Sequence, residues 1–222
     1  MIILHHLNNS RSQRILWMLE ELQLPYTLER YQRDEKTMLA PAALKKIHPL
    51  GKSPVLQDGD LIIAESGAII EYLQETYDPQ GTLKPEDTPS RLQYRYWLHY
   101  AEGSLMPLLV MKLIFGKLGK PPVPLLIRPI AGAIGKGVQQ QFLDKQIATH
   151  ASYLEDYLTK NAWFAGDHFS AADIQMSFPI EALASRGPIE KCPHLQRWLK
   201  TIQARPAYQQ ALKQGGPYQI GR

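Results

Sequence analysis

The first eighty residues alternate short runs of period two with longer stretches of helical period. Ile2–His6 is a compact apolar run that predicts a strand, and the polar Asn8-Asn9-Ser10 after it predicts a loop. Arg11–Leu22 then places Ile15, Met18, Leu19 and Leu22 on one helical face, with Arg14, Glu20 and Glu21 expected elsewhere. Pro25 ends this helix, and Tyr26–Tyr31 alternates as a half-buried strand does. Two parallel strands joined by a right-handed crossover are the expected result. Pro41 can open a short helix over Ala42–Ile47, and Pro49 and Gly51 break the chain before Val55-Leu56-Gln57. Asp58-Gly59, between that run and Leu61-Ile62-Ile63, predicts a tight antiparallel hairpin. Ser66–Tyr77 has the pattern of a helix that closes the unit.

This order, βαβ then α, ββ and α, predicts a four-stranded mixed sheet with helices on both faces, the thioredoxin-like arrangement. Asp78–Pro89, with three prolines, one glycine and several charges, reads as an exposed linker. Beyond it the period is helical nearly to the end, over Ser90–Phe115, Val138–Leu158, Ala171–Ser185 and Leu195–Ala204. The expected fold class is an α+β thioredoxin-like domain over residues 1–78, a linker over 79–89 and an all-α domain over 90–222.

Composition narrows the chemistry. A chain of 222 residues, 44% hydrophobic, builds a full core without disulfides. The single cysteine, Cys192, excludes an internal disulfide, a Cys-X-X-Cys redox pair and every multi-cysteine zinc site, so a reducing, cytoplasmic compartment and no metal are expected. The net charge of +4 divides unevenly: residues 1–80 carry 8 basic and 11 acidic side chains, residues 81–222 carry 17 and 10. That basic excess is scattered and accompanied by no RNA-module motif, which argues against a nucleic-acid partner. The start lacks the features of a secretory signal, and Lys112 and Arg128 interrupt the longest apolar stretches, so no membrane span is expected.

Three constellations can carry chemistry. The loop Asn8-Asn9-Ser10-Arg11-Ser12 joins the first strand to the first helix, where a helix N-terminus offers free N–H donors and partial positive charge. It has no cysteine, so thiol–disulfide exchange through the protein is excluded there; a hydroxyl can instead donate to a bound thiolate, or simply cap the helix. A thiol of pKa ~8.5 is only about 3% ionised at pH 7, and lowering that pKa by about two units takes ~2.7 kcal/mol of preferential thiolate stabilisation. One charge-assisted hydrogen bond plus a helix terminus supplies this. The second constellation is Gly51-Lys52-Ser53-Pro54-Val55, where a cis Ser53–Pro54 bond would leave the Val55 backbone as an unpaired strand edge for a ligand. The third is Glu65-Ser66: Ser66 is a candidate N-cap whose hydroxyl receives a carboxylate, and Glu65 can receive an ammonium.

Together these features resemble the cytosolic glutathione transferase family, serine-type members of bacterial or fungal style most of all. The resemblance rests on Ser10 before Arg14-Ile15-Leu16-Trp17, on His48-Pro49-Leu50-Gly51-Lys52-Ser53-Pro54-Val55-Leu56, and on Glu65-Ser66 before Ala68-Ile69-Ile70-Glu71-Tyr72-Leu73. Phe169-Ser170-Ala171-Ala172-Asp173-Ile174 is similar to the family's buried capping motif, with Ser170 as N-cap and Asp173 reaching back to it.

The resemblance implies glutathione as cosubstrate, a homodimer and a role in detoxification. Ser66 and Glu65 would hold the γ-glutamyl end, the Val55 backbone beside Pro54 and Ser53 the cysteinyl unit, and Lys52 the glycyl carboxylate. Ser10 would donate to the sulfur, with Asn9 as its competitor and Arg11 adding charge, while His5 and His6 read as structural. Leu105, Met106 and Met111 are candidates for a hydrophobic acceptor pocket. The acid-free stretch Gly103–Phe142, with Gly116–Gly137 inserted between two long helices, reads either as a cationic, apolar lid or as an elaborated surface connection. The implied reaction is attack of the glutathione thiolate on a hydrophobic electrophile or on a hydroperoxide oxygen. A glutathione-dependent isomerase and a non-enzymatic binding module of the same fold are the alternatives.

Overall fold

The computed structural model describes residues 1–34, 37–187 and 189–220. Strands β1 (Ile2–Leu7), β2 (Tyr26–Tyr31), β3 (Val55–Asp58) and β4 (Leu61–Ala64) form one sheet in the order β2-β1-β3-β4. β1 and β2 run parallel from Ile2 opposite Tyr26 to Leu7 opposite Tyr31, while β3 is antiparallel to both β1 and β4. The mixed, thioredoxin-like sheet expected from the order of runs is therefore present. The hairpin turn falls one residue later than expected: Asp58 still pairs with Leu61, so Gly59 and Asp60 make the turn, and Gly59 supplies its left-handed φ of +58°.

Helix α1 (Ser12–Glu21) lies between the sheet and the helical domain, in contact with β1, α3 (Ser66–Tyr77), α8 (Ala171–Arg186) and α10 (Pro206–Gly215). Being covered on all sides, it buries Gln13 and Arg14 together with Ile15, Leu16, Trp17, Met18 and Leu19. Periodicity put Arg14 off the apolar face; the second domain covers it there. Helix α2 is only Leu44–Ile47, shorter than the predicted Ala42–Ile47. The segment read as an exposed linker is tied down: buried Asp78 accepts from Thr82 N–H, Thr82 Oγ1 and Leu83 N–H, and Leu83 is buried.

In the helical domain, α4 (Thr88–Tyr100) starts at an Asp87 cap and passes through a π turn, Ala101–Leu105, into α5 (Met106–Phe115). That wider turn re-aims the side chains around Glu102 relative to a regular helix. The glycine- and proline-rich insertion contains an unpredicted helix, α6 (Arg128–Val138), which leads through a second π turn (Gln139–Leu143) into α7 (Asp144–Lys160). Its glycines serve close approach: a Cβ on Gly119 would lie 3.3 Å from the Gly132 Cα, and one on Gly135 only 2.5 Å from the Phe115 carbonyl oxygen. The bulky Leu126, Ile130 and Ile134 consequently face outward. Then follow α8, α9 (Pro193–Gln203) and α10. The capping box at α8 is formed as the sequence implies, and Asp173 also accepts from Phe164 N–H and Trp198 Nε1. Burial outweighs these donors and pushes the Asp173 carboxyl up to about 6. Among the described residues no helix is long and apolar enough to cross a membrane.

Candidate functional site

The loop between β1 and α1 holds a chain of hydroxyls. Ser10 Oγ lies 2.8 Å from Ser12 Oγ, and Ser12 Oγ lies 2.9 Å from His6 Nδ1. Buried His6 also bonds the Gly215 backbone through its ring, which makes Nδ1 the acceptor for the Ser12 hydroxyl. Burial, chiefly, lowers the His6 pKa to about 4, so its ring is neutral near pH 7. Ser10 Oγ in turn accepts from Ser12 N–H at 3.2 Å. With the Ser12 proton committed to His6, Ser10 donates to Ser12 Oγ, and it is this proton that can turn from Ser12 toward a bound anion. Asn9 sits beside it in a left-handed conformation, φ 50°, with Oδ1 accepting from Gln219 N–H at 2.7 Å. Its amide donors remain, so Asn9 stays a competitor.

Arg11 and Arg14 belong to a second cluster, which spans both domains. Arg11 Nε donates to both oxygens of Glu102, at 2.9 and 3.0 Å, and Arg14 Nη2 donates to Glu102 and to Ser66 Oγ. Arg14 Nη1 donates to the Gln175 carbonyl at 2.7 Å. That carbonyl is four residues before Pro179, which has no N–H to offer it, so a proline inside α8 releases an acceptor that the buried guanidinium takes up. Burial pushes the Glu102 carboxyl up, but Arg14 and Arg11 outweigh it and hold it below its usual value.

The remaining candidates flank this cluster. Helix α3 begins at Ser66 itself, so Ser66 is the first helical residue and Glu65 occupies the cap position, with no side-chain cap bond. Glu65 is exposed and holds φ 69°, ψ 120°, a conformation that L-residues rarely adopt and that a surrounding structure must impose. The Ser53–Pro54 bond is cis. Val55, however, lies opposite His5 on β1 and Ala64 on β4, so it presents no unpaired edge. Ser53 lies two residues before the paired strand, across the cis bond; its Oγ donates to the His5 carbonyl and accepts from Leu7 N–H, which leaves its backbone as the nearest free main chain. Lys52 is exposed beside it.

A cleft of about 230 Å³ opens against Ser10. Its apolar wall includes Met106, Val110 and Leu113, at positions i, i+4 and i+7 of α5. Of the expected acceptor residues only Met106 belongs to this wall. Leu105 is fully buried in the core, and Met111 packs against that core on another face. From the insertion only Lys117 reaches the cleft; the tail residues Gln219 and Ile220 line its other side.

The residues around this cleft match known proteins over most of the chain. A model of the glutathione S-transferase N-terminal domain matches residues 10–76, and one of the C-terminal domain matches residues 119–206. Glutathione S-transferase 3 of Schizosaccharomyces pombe is 39% identical over 209 residues, covering 93% of this chain and 85% of that protein. The chain belongs to the glutathione transferase family. Glutathione S-transferase 1 of Saccharomyces cerevisiae is 36% identical over 216 residues, covering 93% and 92%. The crystal structure of a glutathione S-transferase from Actinobacillus pleuropneumoniae superposes with a TM-score of 0.82 at 35% identity, covering 97% of this chain and 93% of that one.

As a glutathione transferase, the chain gathers Ser10, Asn9 and Arg11 on one cleft, and Arg11, Arg14, Ser66 and Glu102 in one bonded cluster. Lys52 and Glu65 are exposed, next in sequence to Ser53 and Ser66. His6, Arg14 and Glu102 carry much of this geometry and were missed by sequence reasoning. Each acts through a partner distant in sequence, and the available signal was weak: an unpartnered acid, Glu102, just before an acid-free stretch.

Proposed function

We propose that this enzyme binds glutathione across the cluster formed by Ser66, Arg14 and the Ser53 backbone, and ionises its thiol beside Ser10 for attack on a hydrophobic electrophile in the cleft. The observation that carries the reading is the Ser10–Ser12–His6 chain, in which the Ser10 proton is held only by Ser12 Oγ and can turn to a thiolate in the adjoining cleft. Ser66 supports the other end of the ligand. Its oxygen already accepts from Arg14, so its own proton is available to a carboxylate at a helix N-terminus. Glu65 would take the ammonium and Lys52 the glycyl carboxylate. Arg11, ion-paired with Glu102, would add positive potential beside the sulfur rather than a direct contact. Catalysis then comes from thiolate stabilisation and from proximity of the two reactants.

The enzyme is proposed to act in the cytoplasm as a homodimer, for which exposed Leu61, Ile62, Leu92, Tyr96 and Tyr153 offer apolar surface. Light scattering of the purified chain tests the dimer. The activity is tested by glutathione affinity followed by conjugation of 1-chloro-2,4-dinitrobenzene, with cumene hydroperoxide as a second acceptor. Binding without turnover of either would favour a binding module. The thiol pKa of bound glutathione, read by its thiolate absorbance, should rise by about 1–2 units in Ser10→Ala, the value of one hydrogen bond to a charged group. A rise in Asn9→Ala alone would transfer the role to the amide.

A further inference from the structure

We propose that the cleft beside Ser10 selects electrophiles carrying a carboxylate or similar anionic group, and that Arg186 receives that group. The proposal rests on the transferase reading above and names the substrate class of the same site. Four cationic side chains line the cleft, Arg11, Arg33, Lys117 and Arg186, and none of its lining residues is acidic. They are not equivalent. Arg11 is held by Glu102, a carboxylate it shares with Arg14. Arg33 is spent on backbone carbonyls, donating to Asn8, Asn9 and Met38. Arg186, the last residue of α8, forms no ion pair with any described carboxylate, and its Nε is buried with no hydrogen-bond partner.

A guanidinium in that position lacks what its planar fork is built to hold. Burial, then the charge of Arg11, push Arg186 below its usual value, as happens to a cation without a counter-ion. An anion on the second substrate would fill both deficits. Met106, Val110 and Phe178 meanwhile offer apolar contact to the rest of the molecule, and the Phe178 ring already lies 5.1 Å from the Arg11 guanidinium carbon. The fitting ligand is thus amphipathic: an aromatic or unsaturated body bearing the electrophilic carbon, with a carboxylate at one end. Neutral electrophiles would use only the apolar half of the site.

The test is a matched pair, 4-chloro-3,5-dinitrobenzoate and its methyl ester. With either one, the glutathione sulfur bonds to the ring carbon, chloride leaves with its electron pair, and the thiol proton passes to solvent. The ratio of kcat/KM for carboxylate over ester, corrected for the uncatalysed rates, should fall about 10- to 100-fold in Arg186→Met. It should be partly restored in Arg186→Lys and decline with added salt in the parent enzyme. Thermal melts of both variants serve as the folding control. An equal loss on carboxylate and ester, or a ratio unchanged by the substitution, overturns the proposal while leaving the transferase reading intact. Absence of turnover with the ester in the parent enzyme removes that reading and this one with it.

Discussion

Glu102→Gln tests whether the two domains are joined through a buried charge. The Arg14 side chain is 1% exposed and that of Glu102 31%. Removing one partner of a buried ion pair costs about 3–5 kcal/mol, because the other charge is left uncompensated. Water reaching the partly exposed carboxylate, and the bonds that Arg14 keeps with Gln175 and Ser66, reduce this to about 2 kcal/mol. In a chain of 222 residues each kcal/mol moves the melting midpoint by about 2–4 °C, so the variant should melt about 4–8 °C lower at pH 7. The pH dependence has a definite sign. The Glu102 carboxyl lies below its ordinary 4.5 in the folded state, so its contribution is complete above that value and is lost as pH falls through the folded one. Melts of parent and variant should therefore separate at pH 7 and converge in acid. Arg14→Met combined with Glu102→Gln, which removes the stranded charge as well, should recover part of the loss. Coincident midpoints at pH 7 would show that the cluster contributes no net stability and refute the reasoning.

The His6 pKa of about 4 lies below the ordinary 6.5, so stability should decline as pH falls below 6.5; between pH 6.5 and 5 the loss is about 2 kcal/mol. Chemical denaturation of His6→Asn across that window should give a shallower slope, with His5, also lowered by burial, supplying the remainder. In Gly215→Ala the new Cβ would sit 2.5 Å from Gln13 Oε1 and 3.1 Å from Leu16 Cδ2, both on buried side chains. Overpacking of this kind costs about 1–3 kcal/mol, and a melt unchanged from the parent would contradict the close packing of α10 on α1. Pro179→Ala returns an N–H to α8 that competes with Arg14 for the Gln175 carbonyl. Its melting temperature should therefore rise less than the usual gain from removing a helix-interior proline, or fall.

Local signals served the fold well. Alternation and turn chemistry placed the four strands, and the Ser170–Asp173 box predicted a cap that is present bond for bond. Signals failed where a distant segment decides the outcome. Arg14 fell outside the expected apolar face because its covering surface, Gln175 on α8, lies 161 residues away. The glycines of α6 looked like loop residues because their reason, contact with Gly119 and Phe115, is tertiary. Of the acceptor wall only Met106 was found: Met111, five residues on, lies about 140° round α5 from it, whereas Val110 and Leu113 share its face. Val55 was mistaken for a strand edge because sequence shows where a strand begins but not that β1 and β4 flank it on both sides. Of the site, the motif residues were legible and their supporting shell was not.

The shared guanidinium also constrains heredity. Separate family models describe the two halves of this chain, as if either could be exchanged for that of a relative. Yet Arg14 comes from the first half, while its acid, Glu102, and the carbonyl uncovered by Pro179 come from the second. A recombinant that keeps Arg14 but receives a helical half without Glu102 inherits a stranded charge at its central seam. A crossover at the domain boundary therefore calls for an incoming helical half that supplies an equivalent acid and an equally uncovered carbonyl to Arg14.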